Sequence, residues 1–154
     1  MKPIPDGYPV ITPYLVVKGG AAAIDFYKNV FGATERMRMA DPSSGAVWHA
    51  EILIGGSLIM IGDACPEMQA LDPITIGGSP VGIHLYVEDV DATYARAIAA
   101  GAKTVHAVEN KFYGDRSGSL TDPFGHIWHI ATHVEDVTPE ETSRRAAAMM
   151  QPEK

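Results

Sequence analysis

Apolar, β-branched and aromatic residues dominate Ile11-Thr12-Pro13-Tyr14-Leu15-Val16-Val17 and predict a strand. The period then changes. Ile24, Tyr27 and Phe31 share one face of a helix predicted over 21–30, and Gly32 stands where a glycine ends a helix. The same succession restarts at Gly82. Ile83-His84-Leu85-Tyr86-Val87 reads as a strand, and Asp89 as the cap of a helix reaching residue 100, with Val90, Tyr94, Ala97 and Ile98 inward. Gly101 stops it. Two further strands complete each half, 34–39 and 47–54 in the first, 104–108 and 117–121 in the second. Each half closes on an apolar strand, 58–61 and 127–130.

The two patterns superimpose. Gly32-Ala33 and Gly101-Ala102 are 69 residues apart, as are Gly56 and Gly125, and Val17 and Val87 are 70 apart. Matches in one order at one spacing indicate an internal duplication. The expected fold is therefore α+β, two βαβββ modules in tandem plus a short C-terminal helix. Within a single domain over 1–154, module one spans 8–63, a linker 64–80, module two 81–134 and the helix 138–150. Asp41-Pro42-Ser43-Ser44-Gly45 and Asp122-Pro123-Phe124-Gly125 carry turn chemistry. The linker is long for a compact domain, which fits a lid or a point of exchange between chains. Thr138-Pro139-Glu140-Glu141 has the form of a capping box with proline at the first helical position.

Composition narrows the function class. With 46% hydrophobic and 20% charged residues the chain can bury a core, and a net charge of −7 argues against a nucleic-acid surface. No apolar run approaches a membrane span, and residues 1–7 lack the apolar stretch of a signal peptide, so a cytoplasmic protein is expected. Cys65 is the lone cysteine, which leaves no disulfide framework and no cysteine-rich zinc site.

The repeat, with Phe26-Tyr27, Phe31-Gly32-Ala33, Leu85-Tyr86-Val87-Glu88-Asp89-Val90-Asp91 and Asp122-Pro123-Phe124-Gly125, resembles the glyoxalase, bleomycin-resistance and ring-cleaving dioxygenase superfamily, also called vicinal oxygen chelate proteins. The resemblance covers roughly residues 8–134. His49-Ala50-Glu51, Ile54-Gly55-Gly56, Met60, Phe112-Tyr113-Gly114-Asp115-Arg116-Ser117-Gly118 and Phe124-Gly125-His126-Ile127-Trp128 look like its PhnB-like branch. The resemblance implies cupped mixed sheets with helices on the convex side, a cavity between the modules and a homodimer. On the predicted third strand Ala50, Ile52 and Ile54 alternate with His49, Glu51 and Leu53, so an apolar face should meet the helix and a mixed face the cavity.

The superfamily's metal enzymes carry ligands on the first and last strands of each module. Carried over, those positions fall on Thr12 and Met60 in module one, and on Gly82 and His129 in module two. Glycine has no side chain and a thioether is a poor partner for a hard divalent ion, so no cofactor is expected. A displaced site stays open, since His84 shares the face of Gly82 and would join His129 with His49 or Glu51. The other reading has these residues line a polar cavity and hydrogen-bond to Tyr14, Tyr86 or Thr12.

Glu51 is the candidate general acid or base, since burial raises a carboxylate's affinity for its proton; His84 and His129 are candidates beside it, and His49 would orient Glu51. Its alternative is a structural pair with His49. Tyr113 and Arg116 lie in a glycine-flanked loop where Arg116 would receive an anionic group or pair with Asp115. Trp48 and Trp128 are read as core or interface, with ligand stacking as the second reading, and His106, His126 and His133 as surface or core histidines without partners. The expected function is binding of a small organic molecule, and the alternative a lyase-, isomerase- or dioxygenase-type enzyme. A ligand-free scaffold would have no use for inward histidines and a carboxylate.

Overall fold

The structure, a computed structural model, describes residues 1–151. β1 (Tyr14–Val17), α1 (Gly20–Phe31), β2 (Thr34–Ala40), β3 (Val47–Ile54) and β4 (Ser57–Asp63) form the first module. After a 3-10 turn and α2 (Pro73–Ile76) the succession repeats as β5 (Gly82–Tyr86), α3 (Val90–Ala99), β6 (Lys103–Asn110), β7 (Asp115–Thr121) and β8 (Ile127–His133). The last element is α4 (Pro139–Met149). This is the tandem βαβββ fold that the repeat predicts, with the C-terminal helix that the Thr138 capping signal predicts.

Both sheets have one topology. The order β1-β4-β3-β2 is matched by β5-β8-β7-β6. In each, the first strand runs parallel to the last and the other pairs are antiparallel. Leu15 and Val17 of β1, Ile52 and Ile54 of β3 and Ile59 and Ile61 of β4 are buried, and α1 adds Ile24, Tyr27 and Val30 to that core. In the second module Leu120, Trp128 and Ile130 lie beneath Val90, Tyr94 and Ala97 of α3. Gly118 permits that approach, because a Cβ there would meet the Tyr94 ring at 2.9 Å.

The helix starts show the duplication in chemical detail. Asp63, at the end of β4, accepts from Gly19 N and Gly20 N through Oδ1 (both 2.8 Å) and from Val47 N through Oδ2 (2.6 Å). Thr132 stands 69 residues later near the end of β8, where its Oγ1 accepts from Val90 N at 2.9 Å and donates to Val87 O at 2.8 Å. Each last strand thus satisfies the otherwise unpaired amides at the start of its own module's helix. Asp89 caps α3 as the sequence predicts, accepting from Ala92 N at 3.0 Å. Gly32 is left-handed and closes α1.

Several expectations are corrected. β1 begins at Tyr14, which leaves Thr12 outside any strand, since Pro13 supplies no N–H to a ladder. The linker is more ordered than a plain connection: Asp72 is buried and caps α2, accepting from Thr75 Oγ1 at 2.6 Å and Thr75 N at 3.2 Å. Only half of the capping box forms. Thr138 accepts from Glu141 N, whereas the Glu141 carboxylate turns to Arg144 and Arg145.

By contacts the chain divides into two compact units, Met1–Val81 with Asp122–His126, and Gly82–Thr121 with Ile127 onward. The turn Asp122–His126 belongs to the first unit. Tyr27 donates to Asp122 Oδ2 at 2.6 Å, Phe124 meets Phe26 and Tyr27, and His126 Nε2 donates to Val16 O at 2.8 Å. His126 is thus a buried, bonded residue where the sequence showed no partner. Among the described residues no helix is long and apolar enough to cross a membrane.

Candidate functional site

Strand alternation decides which side chains leave the core. In the second module Ile83 and Leu85 turn from the face that carries His84 and Tyr86, and Trp128 and Ile130 from the face that carries His129 and His133. The exposed face is therefore polar and aromatic. His84 pairs in register with His129, and Ser119 with His129 from the other side. Ser119 Oγ and His129 Nδ1 share a 2.6 Å hydrogen bond, and the rings of His84 and Tyr86 lie 4.6 Å apart.

At the end of this face lies a buried carboxylate. Asp115, at the start of β7, is only 4% exposed. Tyr86 donates its hydroxyl proton to Asp115 Oδ2 at 2.7 Å, and His133 Nδ1 donates to Oδ1 at 2.8 Å. His133 Nε2 also meets Asp136 Oδ1 at 2.8 Å. These bonds raise His133 above the ordinary imidazole range, Asp115 contributing most and Asp136 next. Burial pushes the Asp115 carboxyl up, but hydrogen bonds from His133 and Tyr86 outweigh it and hold the group below its ordinary value. The Asp115 bond in turn raises the Tyr86 phenol. Tyr86 and His133 border an open cavity of about 510 Å³ together with Val87, Glu88 and Thr132. That volume lies within the range of small-molecule sites, roughly 300–1,000 Å³.

A glycine sets the geometry of this end. Gly114 has φ +102° and no space for a Cβ against the Glu135 carbonyl. Its own carbonyl accepts from Val134 N and Glu135 N at 2.9 and 3.0 Å, which fixes Asp115 beside the segment that carries His133 and Asp136. Arg145 of α4 ties the same segment, donating to both Glu135 oxygens and to Phe112 O.

The first module treats its polar face differently. Glu51 is 3% exposed and is covered by a residue from the N-terminal segment. Tyr8 Oη lies 2.9 and 3.1 Å from the two Glu51 oxygens and donates to the carboxylate. Arg36 stands 3.6 Å from Glu51 Oε2, and its guanidinium lies over the Tyr8 ring at 4.5 Å. His49 Nε2 reaches Glu51 Oε1 at 3.3 Å, and its Nδ1 shares a 3.1 Å bond with Tyr14 Oη. Glu51 and His49 are joined as one of their sequence readings holds, but beneath Tyr8 rather than on an open cavity wall.

Other sequence candidates separate. Trp128 is fully buried and sits in the helix-side core, so its ring has no route to a ligand. Trp48, by contrast, is 61% exposed. Arg116 is held by Asp91 through two bonds of 2.7 and 2.8 Å and by Asn110, not by Asp115. Tyr113 is exposed and packs edge-on to Phe112. His133, read as partnerless, bonds two carboxylates, Asp115 and Asp136. The predicted last strand ended at 130, whereas β8 continues to His133 and pairs it with Asp115. The recurrence of His129 and His133 at even spacing was the signal available for this.

The carried-over metal positions do not fit a divalent ion. Thr12 precedes β1, and the register partner of Met60 is Tyr14. Gly82 has no donor, and a Cβ there would lie 2.5 Å from His129 Nε2, so the imidazole takes the space that a ligand at 82 would need. Among the described residues no three His, Cys, Asp or Glu side chains converge as a metal set.

Residues 9–130 match the family described as the Glyoxalase/Bleomycin resistance protein/Dioxygenase superfamily. The chain is 43% identical over 136 residues to the uncharacterized protein Mb0911c of Mycobacterium bovis, covering 86% of this chain and 89% of that one. It is 31% identical over 124 residues to the uncharacterized protein At5g48480 of Arabidopsis thaliana, covering 77% and 74%. The solved structure of that Arabidopsis gene product matches with a TM-score of 0.65 over 80% of this chain and 98% of the other, at 29% identity. A Bacillus cereus structure described as a putative 3-demethylubiquinone-9 3-methyltransferase, PhnB protein, shares the fold with a TM-score of 0.64 at 18% identity, covering 80% and 99%. This chain belongs to the glyoxalase/bleomycin resistance protein/dioxygenase superfamily.

Proposed function

We propose that the protein binds a small organic molecule on the polar face of its second module, without a metal ion to direct it. One observation carries this reading. His84, Tyr86, His129 and His133 stand on one exposed sheet face, Tyr86 and His133 border a cavity of about 510 Å³, and both bond the buried Asp115 at the end of that face. Burying an acid at the end of an exposed Tyr–His face costs desolvation, which is offset only through those bonds. Because the Tyr86 proton is committed to Asp115, the phenol oxygen is left to accept from a ligand. His84 offers a second polar edge and an aromatic face beside it. Within the superfamily we place the chain in the PhnB-like branch, on the residue signatures around Glu51, Gly114 and Trp128, and in the cytoplasm.

An enzyme is the second reading, favoured by the Tyr86–Asp115–His133 chain. A phenol bonded to a buried carboxylate, with an imidazole on its far side, is an arrangement able to move a proton to or from a bound carbonyl compound. His84 and His129 are the other candidates for that work.

Titration calorimetry with a panel of small carboxylates, amides and amines tests the reading. The expected result is one site per chain, weakened at least about tenfold in Tyr86→Phe or His84→Ala, the scale of one lost polar contact. Binding that both variants leave unchanged would contradict it. Stoichiometric Ni, Zn, Fe or Mn in protein purified without chelator would overturn the metal-free part.

A further inference from the structure

The Glu51 site in the first module is built around a ligand, and that ligand is the chain's own Tyr8. Both carboxylate oxygens face one phenolic hydroxyl at 2.9 and 3.1 Å, while the Arg36 guanidinium covers the ring at 4.5 Å. This is how a protein recognises a free hydroxyaryl group: a charged acceptor for the hydroxyl and a cation on the π face. Glu51 itself is 3% exposed, and His49 and Tyr14 brace it from the far side. The site belongs to the folded β2–β3 pair, since Glu51 pairs with Met37 and Arg36 sits at the register shift just before it.

The occupant is held far more loosely than the site. Every residue of 1–13 is exposed except Tyr8 and Thr12, which are half-buried, and no helix or strand begins before Tyr14. Beyond Tyr8 itself, the segment is tied by the Arg36 bond to Gly7 O and by the Met60 N bond to Pro13 O. Between those two ties Val10 and Ile11 are each 83% exposed. The Lys2–Asp6 pair and the Tyr8 N to Pro5 O turn lie within the segment and would leave with it. Releasing Tyr8 therefore breaks its own contacts and one backbone bond, with little apolar surface uncovered.

We propose that Glu51 and Arg36 form a hydroxyaryl-binding site which Tyr8 plugs, and that a phenol-bearing small molecule binds there by displacing the Met1–Tyr8 segment. The inference concerns the first module and stands independently of the ligand face of the second.

The probe is 4-methylphenol, the side chain of tyrosine, with 4-methylanisole as the control that keeps the ring and loses the donor. Full-length Tyr8→Ala should bind 4-methylphenol at 1:1 and at least about tenfold more tightly than the wild type, the scale of one charge-assisted hydrogen bond freed from competition. Adding Glu51→Gln to Tyr8→Ala should weaken that binding again, and 4-methylanisole should not distinguish Tyr8→Ala from wild type. In the wild type, saturating 4-methylphenol should speed amide hydrogen exchange at residues 6–10, where 4-methylanisole should not. Equal affinity in wild type and Tyr8→Ala, or equal binding of the two probes, overturns the proposal. If Tyr8→Ala does not fold, the wild-type exchange experiment decides alone, and unchanged exchange at residues 6–10 overturns it.

Discussion

The two modules share a topology and differ in what they place at matched positions. Glu51 and Tyr14 flank Met60 in the first sheet, where Ser119 and His84 flank His129 in the second. In the first module the charge lies in the middle of the face and is closed off by Tyr8 and Arg36. In the second the charge has moved to the end of the face, at Asp115, and the middle stays open with two imidazoles and a serine. The same backbone thus yields one covered polar face and one accessible one. A buried carboxylate must be surrounded by donors, and where those donors come from decides whether the face remains free. Tyr8 comes from outside the module's strands and covers its face; Tyr86 and His133 come from within the sheet and leave theirs open.

The helix caps give the largest expected contrast. Asp63→Ala strips acceptors from three backbone amides, and chemical denaturation should show a loss of about 2–4 kcal/mol. Its counterpart Thr132→Ala removes one accepted and one donated bond and should cost about 1 kcal/mol. Equal losses would mean that the additional bonds Asp63 accepts contribute nothing to stability. On the sheet faces, Glu51→Ala should destabilise by about 1–3 kcal/mol, by freeing Tyr8 and leaving Arg36 unpaired, and Ser119→Ala by less than about 1 kcal/mol. A larger effect at Ser119 would reverse the assignment of covered and open faces.

The smallest effect is a pH dependence. The folded chain holds the His133 pKa above its ordinary 6.5 and the Asp115 pKa below its ordinary 3.8. The His133 contribution is complete below pH 6.5 and disappears as pH climbs through the raised value; that of Asp115 is complete above 3.8 and is lost as pH falls through the lowered one. The stability gap between wild type and His133→Ala should therefore be widest between pH 3.8 and 6.5 and close in alkaline buffer. A gap that widens with alkalinity would show that the pair does not form.

The fold was legible because duplication and periodicity are local signals that repeat. Gly32, Asp89, the eight strands and the α4 start can each be read within a few residues, as the helix and strand bounds show. The site was legible only in part. Glu51, His49, His84, Tyr86 and His129 are found by alternation along a strand, which assigns faces but not exposure. That Glu51 is covered depends on Tyr8, 43 residues earlier and outside any periodic element. His133 was missed because its partner Asp115 stands 18 residues away, across a ladder whose length the apolar run underestimated. Trp48 and Trp128 look alike in sequence, yet one is exposed and the other buried; Trp48 falls at a register shift of β3, which no apolar pattern announces.

Histidine-selective NMR tests the contrast between the two faces most directly, with non-phenolic carboxylates, amides and amines as probes. The imidazole signals of His84 and His129 should shift in a saturable way on adding a binding compound, while those of His49, tied to Glu51 and Tyr14, stay in place. Shifts confined to His49, or a bound compound that leaves His84 and His129 unmoved, would contradict the assignment of the second module as the ligand face.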